Sequence, residues 1–310
     1  MINVYEAVSA NKRKSTVVLV LFVVFITAAV YFISRAMGIY AGYEPGGIGI
    51  AGIALIISGL MSLGGYYFSD RIVLTLSGAR PADRNKDFEF YTVAENLSIA
   101  TGLPKPDLYV IEDSAPNAFA TGRDPEHAVV VATAGLLEKL NRTELEGVVA
   151  HELSHIKHYD TRLMSIVAVM VGMVALIGDW FLRMTFWGRG KKSDRDSGQL
   201  GAILLVVGLV FAILSPIVAQ LIKLAISRRR EFLADAGAVL ITRQPQGLIS
   251  ALNKIAKDKE PLEAANKATA HLYIENPFKN KKHGAVDWFS GLFNTHPPVK
   301  ERMEKLKAMA

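Results

Sequence analysis

The sequence predicts an α+β fold that is mainly α-helical and that includes four transmembrane helices. Hydrophobic residues make up 51% of the 310-residue chain, and they are concentrated in four long apolar runs rather than spread evenly. The remaining polar segments contain stretches with helical periodicity and three short stretches with the composition of β-strands. This pattern separates membrane segments from polar segments that must build a domain of their own.

The first two apolar runs, residues 15–34 and 45–69, contain no charged residue. Each run is long enough to cross about 30 Å of hydrocarbon. Lys12, Arg13 and Lys14 precede the first run, which predicts a cytoplasmic N-terminus. No small-x-small cleavage site follows the run, so residues 1–69 are predicted to form a retained anchor of two transmembrane helices rather than a signal peptide.

Two further apolar runs follow, at residues 163–178 and 197–222. They either cross the membrane twice or form a re-entrant hairpin, because both arrangements return the chain to the side it left. Basic residues between the two runs oppose two full crossings, since positive charge favours the cytoplasmic side. We nevertheless predict two crossings, because early helices usually dominate orientation, and the re-entrant hairpin stays the alternative. The two crossings form a transmembrane hairpin over residues 163–222, inserted between the two parts of one catalytic domain, residues 70–162 and 223–310.

The polar segments have local patterns of their own. These patterns predict helices at residues 88–101 and 247–256 and from Val299 onward, a strand at residues 108–111, and a hairpin of residues 117–121 and 128–132. An exposed edge of this hairpin can bind an extended peptide by main-chain hydrogen bonds. The candidate substrate-binding residues on it are Asn117, Ala118, Phe119 and Ala120. The alternative is that the hairpin only covers the hydrophobic core.

The sequence His-Glu-Leu-Ser-His, from His151 to His155, carries the main chemical signal. On a helix the two histidines project from one face. Two neutral imidazoles at that spacing can hold one Zn2+, and Glu152 can take a proton from water at the open metal position. A capping box with Thr143 as N-cap and Glu146 at N3 would place this sequence about two turns inside a helix. The alternative is a polar helix face with two ordinary histidines.

A catalytic zinc site usually has a third protein ligand. The extended pattern with another histidine six residues after His155 is not met, because Thr161 stands there. Glu231 and Asp235 form a second pair at helical spacing. Glu231 can complete the metal shell, and Asp235 can accept a hydrogen bond from a ligand histidine. The alternative for this pair is a solvated acidic turn that pairs with neighbouring arginines.

The composition excludes several other kinds of chemistry. The chain has no cysteine, so it forms no disulfide and has neither a thiol nucleophile nor a Cys-ligated zinc. The net charge is +6, with basic residues concentrated near the ends of the apolar runs. This distribution favours contact with a lipid bilayer over binding of nucleic acid. No pattern indicates an oligomeric state.

Together these motifs resemble the HtpX family of membrane zinc metalloproteases, and the resemblance extends over essentially the whole chain. The similar features are the His151–His155 motif, Glu231 with Asp235, the order of the four apolar runs, residues 117–122 before the zinc helix, residues 230–235 around the third ligand, and residues 295–298 followed by Arg302.

The resemblance implies a gluzincin-type catalytic domain with one Zn2+ per chain, in the inner or plasma membrane and facing the cytoplasm. It implies cleavage of misfolded or damaged membrane proteins and unfolded polypeptides, with the lipid bilayer as a further partner. It also suggests that His296, otherwise an ordinary histidine, stabilises the transition state. Related proteases process prenylated peptides, which is the first alternative. A non-catalytic zinc-binding adaptor is the second, and Glu152 beside the ligands argues against it.

Overall fold

The structure, a computed structural model, describes residues 4–40, 47–172, 228–265, 269–275 and 297–309. Its helices are α1 (Val4–Tyr40), α2 (Gly47–Tyr67), α3 (Ser69–Ser77), α4 (Phe88–Thr101), α5 (Ala134–Lys139), α6 (Arg142–Lys157), α7 (described over residues 160–172), α8 (Arg228–Thr242), α9 (Pro245–Lys257) and α10 (Val299–Lys307). Its strands are β1 (Arg80–Pro81), β2 (Asp107–Ile111), β3 (Ala118–Thr121) and β4 (Val129–Thr133). For these residues, the predicted mainly helical α+β fold is confirmed.

The four strands form one small mixed sheet in the order β1-β2-β4-β3. β3 and β4 are antiparallel, with Ala118 opposite Ala132, so the predicted hairpin is confirmed. Between them the chain turns at Gly122, where a φ of 126° and the nearby carbonyl of His127 leave no room for a side chain. The predicted strand at residues 108–111 is β2, which runs parallel to β4. This order leaves β3 at an edge of the sheet.

The predicted helix at residues 88–101 is confirmed as α4. It buries the face that its apolar spacing predicts, formed by Phe90, Val93, Ala94 and Leu97. This face packs against α6 in the main hydrophobic core. α4 therefore supports one side of the helix that carries His151 and His155.

The predicted start of α6 is wrong by two residues. The N-cap is Asn141, not Thr143, and its side chain accepts a hydrogen bond from the backbone N–H of Glu144. The Glu144 carboxylate accepts in return from the backbone N–H of Asn141, which completes the capping box. Glu144, not Glu146, therefore occupies N3. The earlier start is favoured because the buried Glu144 carboxylate also accepts hydrogen bonds from Ser250 and Lys254 of α9.

α6 and α9 pack with their backbones in near contact. A Cβ atom at Gly147 of α6 would lie 2.6 Å from the backbone nitrogen of Leu248. A Cβ atom at Gly247 of α9 would lie 2.5 Å from the carbonyl oxygen of Thr143. The absence of a side chain at both positions lets the two helices approach each other, so that α9 packs closely along α6.

The first two apolar runs lie within α1 and α2, which pack against each other and against α7. Among the residues described, no helix has both the length and the apolar character that crossing a membrane needs. The four-span arrangement and the domain division therefore stay predictions. Residues 173–178 and 197–222, which belong to the third and fourth runs, lie outside the described part of the chain.

Candidate metal centre and active site

Three of the predicted site residues meet in the interior of the protein. His151 and His155 lie one turn apart on α6, and Glu231 lies on α8, which packs beside it. One potential ligand atom from each residue lies within 4.8 Å of the other two. All three residues are at most 5% exposed, so the group is shielded from bulk water.

The distances between these atoms match a tetrahedral metal shell. The two histidine Nε2 atoms are 3.2 Å apart. The Glu231 carboxylate oxygens lie 3.7 Å from Nε2 of His151 and 3.6 Å from Nε2 of His155. Ligand atoms about 2.0–2.1 Å from a tetrahedral Zn2+ are separated by about 3.3 Å. The three residues can therefore surround one such ion.

The tautomers of the two histidines also favour a cation. His151 Nδ1 lies 3.0 Å from Oδ1 of Asp235, and His155 Nδ1 lies 3.0 Å from Oδ2 of Asp160. A carboxylate only accepts, so each neutral ring donates from Nδ1 and carries a lone pair on Nε2. Two lone pairs that face each other and the Glu231 carboxylate repel one another unless a cation lies among them. This nitrogen and oxygen donor set suits zinc.

The same surroundings favour a positive charge on the His155 ring. Burial opposes that charge, but the hydrogen bond with Asp160 and the negative charge of Glu231 raise the pKa of His155 to about 9. A proton and a metal ion therefore compete for this ring, as at other metal sites with histidine ligands.

Glu152 follows His151 on α6 and is 2% exposed. Burial raises the pKa of its carboxyl group, although positive charge on His151 or His155 lowers it in part. A carboxyl group with a raised pKa holds a proton more readily near neutral pH. Glu152 is therefore suited to accept a proton and return it during a reaction.

Sequence reasoning missed Asp160, which lies five residues after His155 and is 1% exposed. The chain reaches it through Tyr159, whose left-handed φ of 59° bends the backbone sharply between α6 and α7. The bend returns the Asp160 carboxylate to the ring of His155. The available signal was an acidic residue just beyond the helix, but nothing in the sequence indicates the bend itself.

Arg302 of α10 also reaches the centre, although the sequence indicated it only as part of a C-terminal motif. It donates hydrogen bonds to both oxygens of Asp235, at 2.9 and 2.7 Å, and lies 3.6 Å from Oε2 of Glu231. Burial opposes its charge, but the charge of Asp235 raises the pKa of Arg302 above its ordinary value. Burial likewise opposes ionisation of Asp235, yet Arg302 and His151 hold the pKa of Asp235 below its ordinary value. Arg302 therefore keeps the carboxylate behind His151 ionised.

The predicted substrate edge, β3, already has partners at one end. The backbone N–H of Ile274 donates to the carbonyl of Ala118 at 2.9 Å. The side-chain amide of Asn117 exchanges hydrogen bonds with the backbone of Glu275, at 3.0 and 3.4 Å. Phe119 turns its ring into the hydrophobic core. The four predicted residues are all buried, at most 3% exposed, and their role in substrate binding stays a prediction.

His296 lies outside the described residues, which resume at Pro297 just before α10. Its role in stabilising the transition state therefore stays a prediction. The described segment that follows it does approach the metal centre, since α10 carries Arg302.

Comparison with known proteins gives matches along nearly the whole chain. The profile of Peptidase family M48 matches residues 85–310. A protease HtpX homolog from Dictyoglomus turgidum is 47% identical over 306 residues, covering 98% of this chain and 94% of that protein. A second protease HtpX homolog, from Caldanaerobacter subterraneus subsp. tengcongensis, is 44% identical over 307 residues, covering 98% and 97%. Among solved structures, that of Ste24p from S. mikatae matches with a TM-score of 0.46 and 17% identity, covering 90% of this chain and 62% of that chain.

A buried His-His-Glu group with a glutamate beside it, in a chain that matches a peptidase family, defines a metalloprotease that hydrolyses peptide bonds. The chain belongs to Peptidase family M48 and, within it, to the HtpX proteases. The family resemblance of the motifs is thereby confirmed. Membership of a peptidase family counts against the alternative of a non-catalytic adaptor.

Proposed function

We propose that this chain is a membrane-integrated zinc endopeptidase that degrades misfolded or damaged membrane proteins. The observation that carries the proposal is the convergence of two histidine Nε2 atoms and the Glu231 carboxylate in a buried site. Glu152 stands next to His151 on the same helix. This combination is the one that metal-assisted peptide hydrolysis needs.

In this proposal His151, His155 and Glu231 would hold one Zn2+. When bound there, the ion would lower the pKa of a water molecule and polarise the scissile carbonyl group. Glu152 accepts the proton of the attacking water on a carboxylate oxygen and delivers it to the leaving amine. The raised pKa of Glu152 supports both transfers, because the group must hold the proton between the two steps.

The remaining residues of the centre orient the reacting groups. Asp235 and Asp160 accept Nδ1–H of the two ligand histidines and so keep their Nε2 atoms directed inward. Arg302 keeps Asp235 ionised. We assign to His296 the stabilisation of the developing oxyanion, a role that preorganised donors perform in acyl transfer.

The substrate is proposed to bind as an extended strand along β3. The carbonyl of Ala118 faces away from β4, because it accepts a hydrogen bond from Ile274. Alternation along an antiparallel strand places the backbone of Ala120 on the same side. Binding by main-chain hydrogen bonds is compatible with almost any side chain in the substrate. Such tolerance suits the removal of damaged proteins of varied sequence.

The large apolar side chains of α1 and α2 support integration into a lipid bilayer. Val20 and Leu21 on α1, and Ile56 and Leu60 on α2, are all more than half exposed. Apolar surface of this kind is favourable in hydrocarbon and costly in water. We propose four membrane helices, with the active site on the cytoplasmic side that the basic residues before the first run favour. The partners are polypeptide substrates and lipid, not nucleic acid.

The test is cleavage of casein and of a misfolded membrane protein by the full-length protein with zinc. Glu152→Ala should lower kcat by about 10²–10⁴-fold while it retains zinc, because proton transfer is lost and the ligands remain. The matched control is Glu146→Ala, an outward position on the same helix, which should keep wild-type activity. Equal turnover by Glu152→Ala would refute the proposal. Preference for a prenylated peptide over the same plain peptide would favour the processing alternative instead.

A further inference from the structure

Asn11 of α1 is buried against the turn that follows the metal-binding helix. It is 4% exposed. Its side-chain amide donates one hydrogen bond to the carbonyl of His158, at 2.9 Å, and another to Oδ1 of Asp160, at 2.7 Å. These partners lie 147 and 149 positions later in the sequence. A residue of the predicted anchor segment therefore contacts the metal centre's surroundings directly.

Asn11 and His155 bind the two oxygens of one carboxylate. Oδ1 of Asp160 accepts from Asn11, and Oδ2 accepts from Nδ1 of His155 at 3.0 Å. A carboxylate that is bound at both oxygens cannot rotate without the loss of a hydrogen bond, and charge-assisted bonds of this kind are strong. Asn11 therefore acts on the orientation of the His155 ring through Asp160.

The turn depends on such support because of its backbone conformation. Tyr159 has a φ of 59°, which is unfavourable for a bulky residue unless its surroundings hold it. Lys12 of α1 places its ammonium group 4.1 Å from the centroid of the Tyr159 ring. Arg230 of α8 donates to the side-chain oxygen of Asn11 at 3.4 Å. Neighbouring residues of α1 thus hold the turn at its backbone, its carboxylate and its aromatic ring.

We propose that Asn11 is a positioning residue of the metal centre, and that α1 is part of the catalytic apparatus as well as an anchor. This inference rests on the proposed zinc peptidase function and deepens it, because it names the element that fixes His155. Movement of α1 away from the turn would remove the hydrogen bond from Asn11 to Asp160. The imidazole ring of His155 would then be held less firmly.

The first experiment measures zinc release from the full-length protein in the presence of excess chelator. Asn11→Ala should release zinc about tenfold faster than the wild type, because loss of a partner behind a zinc ligand typically costs 10–100-fold in metal affinity. The matched control is Thr16→Ala, an exposed position on α1 whose hydroxyl donates to the carbonyl of Lys12. It should release zinc at the wild-type rate. Wild-type release by Asn11→Ala would overturn the proposal.

A double-mutant cycle separates positioning from general destabilisation of α1. If Asn11 acts through Asp160, the double variant Asn11→Ala with Asp160→Asn releases zinc no faster than Asp160→Asn alone. Independent, additive effects of the two substitutions would overturn the proposal. Asn11→Ser, a smaller change that cannot reach Asp160, takes the place of Asn11→Ala in the cycle if the alanine variant does not fold.

Cobalt substitution gives a readout that a purely structural role would not change. The visible absorption of Co2+ reports the geometry of its ligands. It should differ from wild type in Asn11→Ala and remain unchanged in Thr16→Ala. An identical spectrum in folded Asn11→Ala would contradict a positioning role.

Peptide hydrolysis by the same samples separates this inference from the proposed function. If the wild type binds zinc but cleaves no peptide, the proposed function fails, while the zinc and cobalt measurements decide the role of Asn11. If the wild type cleaves peptides and Asn11→Ala keeps both its zinc and its kcat, only the positioning role fails.

Discussion

Arg302 of α10 connects its own helix with two other parts of the chain. Its guanidinium donates to Asp235, lies beside Glu231 and donates to the carbonyl of Ile274 at 3.3 Å. The side chain is completely buried, at 0% exposure. A buried cation is tolerated when paired carboxylates and hydrogen bonds compensate its desolvation. The converse also holds, because removal of the cation would leave the two buried carboxylates of Asp235 and Glu231 without their guanidinium partner.

We therefore predict that Arg302→Gln lowers the free energy of unfolding by about 3–5 kcal/mol, as expected when one partner of a buried ion pair is removed. It should also weaken zinc binding by about 10–100-fold. Arg302→Lys should be intermediate, because it keeps the charge but cannot form the two-pronged contact with Asp235. Urea unfolding and zinc titration measure the two effects. Lys300→Gln, an exposed position on the same helix, is the control, and a Gln variant as stable as this control would contradict the argument.

Glu144 is the residue for which we predict a clear effect of pH on stability. Burial raises its pKa, but hydrogen bonds from Lys254, Ser250 and the backbone of Asn141 lower it below the ordinary value of 4.5. Because the folded state has the lower pKa, the stabilisation is fully present above pH 4.5 and is lost as the pH falls through the folded pKa. Loss of stability on acidification should therefore be less steep in Glu144→Gln.

Glu144→Gln should also reduce stability at neutral pH by about 1–3 kcal/mol, since the charged hydrogen bonds are weakened. Thermal unfolding at pH 7 and pH 4 tests both statements. Glu146→Gln is the matched control, because Glu146 pairs with Arg142, one turn earlier at the surface of α6, at 3.1 Å. Surface pairs at this helical spacing contribute about 0.3–0.5 kcal/mol. Equal losses of stability in the two variants would show that the buried hydrogen bonds of Glu144 stabilise the protein no more than a surface ion pair does.

At the scale of elements, the near contact of α6 and α9 makes the position of α6, which carries two of the candidate metal ligands, sensitive to one methyl group. Gly147→Ala would place Cβ 2.6 Å from the backbone nitrogen of Leu248, and backbone cannot move aside as a flexible side chain can. We expect a loss of about 1–3 kcal/mol, as for other overpacked interiors. Thermal unfolding measures the loss.

The control for this prediction is Gly59→Ala in α2. A Cβ there meets no described atom within 4 Å. Alanine is favoured over glycine inside a helix by about 0.5–1 kcal/mol, so the control should be neutral or stabilising. If both substitutions destabilise the protein equally, the close contact between α6 and α9 is not the cause of the stability lost in Gly147→Ala.

The elements show how far the sequence alone could lead. Local periodicity predicted α4 and the β3–β4 hairpin correctly, since both depend on the spacing of neighbouring residues. The start of α6 was wrong because two overlapping segments both fit a capping box. The choice between them depends on Ser250 and Lys254, which lie 106 and 110 positions after Glu144. No local rule contains that information.

The same distinction applies to the candidate site. His151, His155 and Glu231 could be predicted because each pair of ligating or orienting groups repeats at helical spacing. Asp160 and Asn11 could not, since one depends on the left-handed bend at Tyr159 and the other on contact between the two ends of a long stretch of chain. The hydrogen-bond partners of the candidate ligands are set by the tertiary fold, whereas the candidate ligands themselves carry a local pattern.

At the scale of the whole molecule, a metal centre built from α6 and α8 should link zinc binding to stability. Zinc that binds only the folded state adds about 2.7 kcal/mol when its free concentration is 100 times Kd. We therefore predict that removal of zinc by a chelator lowers Tm and that added zinc restores it. In Glu231→Ala the zinc-dependent shift should be much smaller. A wild-type Tm that does not respond to zinc would contradict a metal site that joins these helices.

The position of Arg302 along the chain has a consequence for the synthesis of the protein. His151, His155 and Glu231 all leave the ribosome earlier, and Arg302 follows Asp235 by 67 positions. Until translation reaches that codon, the carboxylate behind His151 lacks its cationic partner. We expect a nascent chain to be incapable of proteolysis until Arg302 has left the ribosome and paired with Asp235. The pairing of these two residues would then be the last step in assembling the site.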